Sequence, residues 1–294
     1  MLFRSALFKA PRDEKAAAPS LDLDARFTMS EREVLRSKDF AQMSAAEIEE
    51  ARMAIKRLAM LDDDRRTRRF EPGAPRLRID ARRSFRRSLQ PGGAIDLKFR
   101  APIWRAPPIV ALCDISGSMS EYTRLFLHFL HALGERRRVS TFLFGTRLTN
   151  VTRAMRVRDP DEALARCSAL AVDWSGGTRI GEALFRFNRE WSRRVLGQGA
   201  VLLLFTDGLE RDDVHRLGAE MERLAKSSRR VIWLNPLLRF DGFSAKARGV
   251  RAMLPHVDAF RPIHNLASMA DLCTALSSAR DLSGDPKEWL RASA

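Results

Sequence analysis

Cysteine is scarce in this sequence. Cys113, Cys167 and Cys273 are the only three among 294 residues, odd in number and far apart. With no CxxC pair and no Cys/His pairing, neither a zinc site nor a disulfide framework is indicated, and a reducing, cytoplasmic setting is expected. Long apolar runs are also missing. None approaches the roughly 20 residues that cross a bilayer, so no membrane span is expected. Acidic residues are the third shortage: Asp and Glu number 37 against 52 Lys and Arg, leaving a net charge of +15. That excess calls for an acidic partner, whether nucleic acid, anionic lipid or an acidic protein face. It does not choose among them.

What is present suits a globular chain. Apolar residues make up 45% of the sequence, enough for one large domain with an appendage or two modest domains. The opening "MLFRSALFKAPR" faintly resembles an organelle presequence but lacks a proper apolar core and cleavage site. Its ordinary reading is a frayed terminus, and residues 1–40 are expected to be flexible. Residues 41–105 read as a helix followed by an arginine-rich region. The helix lies in "MSAAEIEEARMAIKRLAML", with Ala46, Ile48, Ala51, Ile55, Leu58 and Leu61 near helical spacing and Ser44 as N-cap.

From residue 106 to 282 the pattern becomes strand–helix alternation. "IVALCDI", "AVLLLFTDG" and "VIWLNPLL" are apolar runs of the kind buried on both faces. "VSTFLFGTRLTNVT" reads as two short strands hinged at Gly145-Thr146. "VDAFRPI" is a weaker strand, and "LASMADLCTALSS" a closing helix before a tail at 283–294. The fold class expected is α/β: a doubly wound, mostly parallel sheet with one antiparallel edge strand, preceded by the helical and arginine-rich region.

Ligands of such sheets sit beyond the carboxyl ends of the strands. Three oxygen-bearing loops fall there: Asp114-Ile115-Ser116-Gly117-Ser118, "WSGGTRIGEAL" with Thr178, and "LLLFTDG" with Asp207. In an extended strand, positions four apart lie about 13 Å from each other. Magnesium–oxygen bonds are only about 2.0–2.1 Å, so the chain must curl after Asp114, as Gly117 permits. Hydroxyls and carboxylates are hard ligands, suited to Mg2+, with Mn2+ or Ca2+ as alternatives. At most two of the five groups carry charge, which leaves an ion electrophilic and open to a partner's carboxylate.

Enzymatic alternatives fit less well. A phosphoryl-transfer enzyme with its nucleophile at Asp114 would need an acid/base two residues later, where Ser116 stands. No G-x-S-x-G elbow appears, so a serine hydrolase is not indicated. Taken singly, Asp207-Gly208 is an ordinary turn and Thr178 an ordinary helix cap. Cys113, His128 and His131 read as packing or surface residues.

"DISGSMS", "SGGT" and "FTDG" in that order resemble the metal-ion-dependent adhesion site of von Willebrand factor A domains. The DxSxS signature is complete in Asp114, Ser116 and Ser118, with Thr178 and Asp207 matching the second and third loops. The resemblance implies that the hydroxyls ligate an ion directly or through water, while the aspartates ligate it or orient waters. Longer strings such as "DWSGGTRIGEAL", "FNREWSRRVLGQGAVLLLFTDG" and "MLPHVDAF" are similar to the CoxE-like family, and "RRTRRF…ARRSFRRSL" extends the likeness back to about Asp64. That family implies a non-enzymatic maturation factor for a molybdenum hydroxylase of the carbon monoxide dehydrogenase type. It further implies work beside a MoxR-type AAA+ ATPase.

Between Arg65 and Arg87, ten arginines face only Glu71 and Asp80. A solvated connector, a nucleic-acid contact and a docking surface for an acidic protein are all open. The docking reading makes Arg65, Arg66, Arg68, Arg69, Arg82, Arg83, Arg86 and Arg87 partner contacts. Few aromatics interleave with them, so a single-strand stacking platform is not indicated.

Overall fold

The computed structural model describes residues 33–58, 65–73, 78–89, 97–174, 177–210, 213–240, 242–277 and 285–292. The expectations for residues 1–32 lie outside them. Helix α1 (Ala45–Leu58) starts with Ser44 and Glu47 capping each other. The Ser44 amide donates to Glu47 Oε2 at 2.7 Å, and the Glu47 amide to Ser44 Oγ at 3.4 Å, a capping box. Where the sequence leaves a solvated connector open, the described part of the arginine-rich stretch forms regular structure. Strands β1 (Arg65–Gly73) and β2 (Arg78–Ile79) precede helix α2 (Ala81–Ser88), and β3 (Phe99–Arg105) follows. The three strands make a small antiparallel sheet in the order β1-β3-β2.

The large sheet follows. Its first strand, β4 (Ile109–Asp114), leads to helix α3 (Ser120–Gly134), then β5 (Val139–Phe144) and the short β6 (Leu148–Asn150). Helices α4 (Pro160–Leu170), α5 (Ile180–Glu190) and α6 (Ser192–Val195) lead to β7 (Val201–Phe205). Helix α7 (Val214–Ser227), strand β8 (Arg230–Asn235), α8 (Arg248–Met253), β9 (Ala259–Pro262), α9 (Leu266–Ser277) and α10 (Pro286–Ala292) complete the order. The strand order is β6-β5-β4-β7-β8-β9, parallel throughout except for β6, which runs antiparallel to β5. The doubly wound sheet with one antiparallel edge strand is therefore present.

Alternation along the strands divides the core. Ile109, Ala111 and Cys113 face one side with Leu203, Phe205 and helices α3 and α9. Val110 and Leu112 face the other with Leu202, Leu204 and helices α5 and α7. Ala51 and Ile55, one helical turn apart, place α1 in the first of these layers. The chain leaves β4 for β5 on one side, and β7 lies on the other side. β4 and β7 thus flank the switch point where such sheets bind ligands.

Candidate metal centre

Asp114 ends β4, Asp207 follows the end of β7, and Thr178 precedes α5, so three separate elements deliver the oxygen groups to one place. Asp114 is fully buried. Its Oδ1 accepts from the Ser116 amide at 2.9 Å and from Thr178 Oγ1 at 3.1 Å. Its Oδ2 accepts from Thr206 Oγ1 at 2.7 Å. Ser118 Oγ donates to Asp207 Oδ2 at 2.9 Å, and Ser116 Oγ lies 3.4 Å from Ser118 Oγ. All five residues expected from the sequence therefore meet.

Local bonds hold this arrangement. The Met119 amide bonds to the Ser116 carbonyl at 3.0 Å, which curls the first loop into α3. Thr123 Oγ1 donates to the Asp114 carbonyl at 2.5 Å. Gly208 adopts φ 78°, and a Cβ there would stand 2.5 Å from Trp233 Cζ2, so only glycine lets the third loop turn so closely over β8. Trp233 Nε1 donates to the Thr206 carbonyl at 2.9 Å, and Asn235 Nδ2 to the Asp207 carbonyl at 3.0 Å. In the second loop, Asp173 Oδ2 accepts from the Thr146 amide, Thr146 Oγ1 and the Arg147 amide at 2.6, 2.8 and 2.9 Å. Burial raises the Asp173 pKa, but these bonds outweigh it and hold the carboxyl below its ordinary value.

The electrostatics suit a cation. Burial pushes the Asp114 carboxyl up to about 6, with Asp207 adding to the rise against the bonds from Ser116 and Thr206. Among the described residues no ammonium or guanidinium pairs with Asp114 or Asp207. Nor do three His, Cys, Asp or Glu side chains gather anywhere among them. The donor set is instead two carboxylates and three hydroxyls, all hard oxygens, which fits Mg2+, Mn2+ or Ca2+. Ser118 is exposed and Thr178 half-buried while Asp114 is enclosed, so the set opens outward from its most buried member.

Sequence reasoning missed two neighbours of the centre. Thr206 belongs to the "FTDG" string itself, yet only its 2.7 Å bond reveals that it positions Asp114. Tyr122, on the first turn of α3, donates to Asp39 Oδ1 at 2.9 Å, and Arg239 pairs with Asp39 Oδ2 at 2.6 Å and also bonds the Tyr122 hydroxyl. Burial, then the Asp39 carboxylate, drive the Tyr122 hydroxyl well above its ordinary pKa. This cluster ties the segment before α1 to the helix that leaves the centre.

Other sequence readings settle as packing. Cys113 is fully buried and its thiol is pushed up by burial; burial also pushes Cys167 to about 12 and Cys273 to about 11. His131 is buried with Nε2 2.7 Å from the Val157 carbonyl. The arginines stand apart on the small sheet and its helix. Arg65, Arg66, Arg68 and Arg69 lie on β1, and Arg82, Arg83, Arg86 and Arg87 are exposed on α2.

Several solved structures are similar. An aerotolerance-related membrane protein from Bacteroides fragilis is 16% identical, with 58% of this chain and 98% of that chain covered and a TM-score of 0.41. BatB from Bacteroides thetaiotaomicron is 16% identical over 58% of this chain and 96% of its own, with a TM-score of 0.39. Proximal thread matrix protein 1 of the mussel byssus, solved with a zinc-occupied MIDAS motif, is 12% identical over 58% of this chain and 47% of its own, with a TM-score of 0.36. No curated protein matches the sequence. The family model described as "VWA domain containing CoxE-like protein" matches residues 51–269, so the chain belongs to the CoxE-like family of von Willebrand A domain proteins.

Proposed function

We propose that the protein is a non-enzymatic, Mg2+-dependent adaptor that grips a carboxylate of a partner protein. The observation that carries this reading is the meeting of two carboxylates and three hydroxyls at the switch point, with Asp114 pushed up to about 6 by burial and unpaired by any described cation. A bound divalent cation would supply Lewis acidity toward an oxygen from outside the chain. The protein's own groups do the rest. Thr206 and Thr178 hold the two oxygens of Asp114, while the Leu209 amide holds Asp207 Oδ1 at 3.0 Å. Ser118, exposed at the rim, leaves room for an incoming group.

Membership of the CoxE-like family supports a finer version. In it the protein is a cytoplasmic maturation factor for a molybdenum hydroxylase of the carbon monoxide dehydrogenase type, acting with a MoxR-type AAA+ ATPase. Arg65, Arg66, Arg68, Arg69, Arg82, Arg83, Arg86 and Arg87 supply a second contact to an acidic face. One observation favours a competing reading, nucleic-acid binding with the A domain as scaffold: four arginines are exposed along the single short helix α2. Tight binding of random duplex DNA at about 150 mM salt would raise that reading above the adaptor.

Thermal unfolding in Mg2+ and in chelator tests the metal. A site occupied at 100 times its Kd stabilises by about 2.7 kcal/mol, and Asp114→Ala should abolish that gain. Pull-down of the ATPase with the wild type, with Asp114→Ala and in chelator tests the adaptor. Equal retention in all three removes the metal from the mechanism.

A further inference from the structure

A second polar feature lies at the opposite end of the large sheet. A cavity of about 860 Å3 opens there between α1, the turn from α3 into β5, and the loop after β6. Lys56, Arg137, Arg138, Arg156 and Arg158 line it, against the single carboxylate of Glu135. Among the described residues no ion pair engages Lys56, Arg138, Arg156 or Arg158, and all four are exposed. Gathering four unpaired cations around one recess costs stability through mutual repulsion. Nothing in the packing of the fold requires it. An anionic ligand would reverse the sign of that cost.

The walls are fixed in advance. His131 Nε2 lies 2.7 Å from the Val157 carbonyl, and the Thr141 amide donates to Thr152 Oγ1 at 3.0 Å, so the loop after β6 is bonded to α3 and β5. Guanidinium forks match phosphate oxygens two at a time. The cavity has the size of a small-molecule site rather than of a backbone-tracking stripe. Leu130, Val139 and Met155 leave part of the wall apolar.

We propose that this recess binds an oligophosphate group of a small molecule, the chemistry shared by nucleoside triphosphates and free tripolyphosphate. It lies one strand length, about 17 Å, from the metal centre, since β5 runs from Val139 beside the recess to Phe144 beside Asp114. The inference therefore stands whether or not the metal reading does.

Calorimetric titration of the full chain with tripolyphosphate and with ATP, in chelator at about 150 mM salt, tests it. Binding of either ligand is expected, and tighter binding of ATP would mean that the apolar wall takes the nucleoside. The double variant Arg138→Glu/Arg156→Glu should weaken binding about ten-fold or more, and Arg193→Glu, exposed on α6, less than about two-fold. Should the reversal fail to fold, Arg138→Gln/Arg156→Gln should still weaken binding about three-fold. No binding by the wild type overturns the proposal. So does an equal loss in Arg193→Glu, or tighter binding of a hexaglutamate peptide than of either phosphate ligand.

Discussion

β4 buries all six of its residues, whereas β2 leaves both of its residues exposed. The large sheet has helices on both faces, and its strands are held by side chains packed from either side. The small sheet is held differently. β1 and β3 pair from Arg65↔Arg105 to Gly73↔Phe99 with a register shift between Arg66 and Phe70. Two guanidinium groups lie over the Phe70 ring, Arg78 at 5.3 Å and Arg100 at 4.7 Å from its centre. Among the described residues none of these strands contributes to the buried apolar core, and main-chain bonds and cation–π contacts hold them instead. One region can carry a rigid binding site; the other presents charge on a lightly held frame.

The strongest test of that contrast is removal of an aromatic from each region. Phe126 on α3 is 1% exposed and stacks on Phe205 at 4.7 Å and Phe129 at 5.8 Å. Phe126→Ala should cost about 3–5 kcal/mol, read as a lower midpoint in denaturant unfolding. Ile55→Ala tests to which region α1 belongs. It is 1% exposed in the same core layer, so a loss of about 2–4 kcal/mol in that global transition is expected. A loss below about 0.5 kcal/mol would detach α1 from the large sheet.

The same contrast explains what could be read from the sequence. "IVALCDI" and "AVLLLFTDG" announce strands because both faces are buried and every position is apolar. Asp114, Ser116, Ser118, Thr178 and Asp207 are legible because they sit where an apolar run ends or just before a helix begins. Thr206 is not, because a threonine beside a strand end looks like an ordinary strand residue. Its role depends on the pairing of β7 with β4, which sets Phe205 beside Cys113. The Asp39, Tyr122 and Arg239 cluster joins residues 83 and 200 positions apart, and no local pattern encodes such a meeting. β1 is hidden for another reason: its arginines occupy alternating and adjacent positions alike, so no period of two emerges, and in β3 Pro102 argues against a strand.

Phe70→Ala should give a smaller and more local effect. Loss of its contacts with Arg78 and Arg100 should cost about 1–2 kcal/mol, since each exposed cation–π contact contributes about 0.5–1 kcal/mol. Hydrogen exchange should show lost protection across β1 and β3 while β4 and β7 keep theirs. A fall in protection across β4 would mean that the two sheets unfold as one unit, and the contrast between them would fail.

The smallest expected effect lies at the seam between α1 and α3. Burial, then the Arg52 guanidinium, hold the His128 imidazole down at about 4 from an ordinary 6.5. Arg52 also pairs with Asp161 at this seam. The folded protein favours the neutral ring, so the unfolded chain takes up a proton first as pH falls. Stability from this group is whole above pH 6.5 and is lost as pH drops toward 4. After solvent screening at a half-buried site, the loss should be about 1 kcal/mol or less. His128→Gln should flatten the stability profile across that window and leave it unchanged at pH 8. A profile equally steep in the variant would assign the acid sensitivity to other groups and leave the α1 seam without a titrating member.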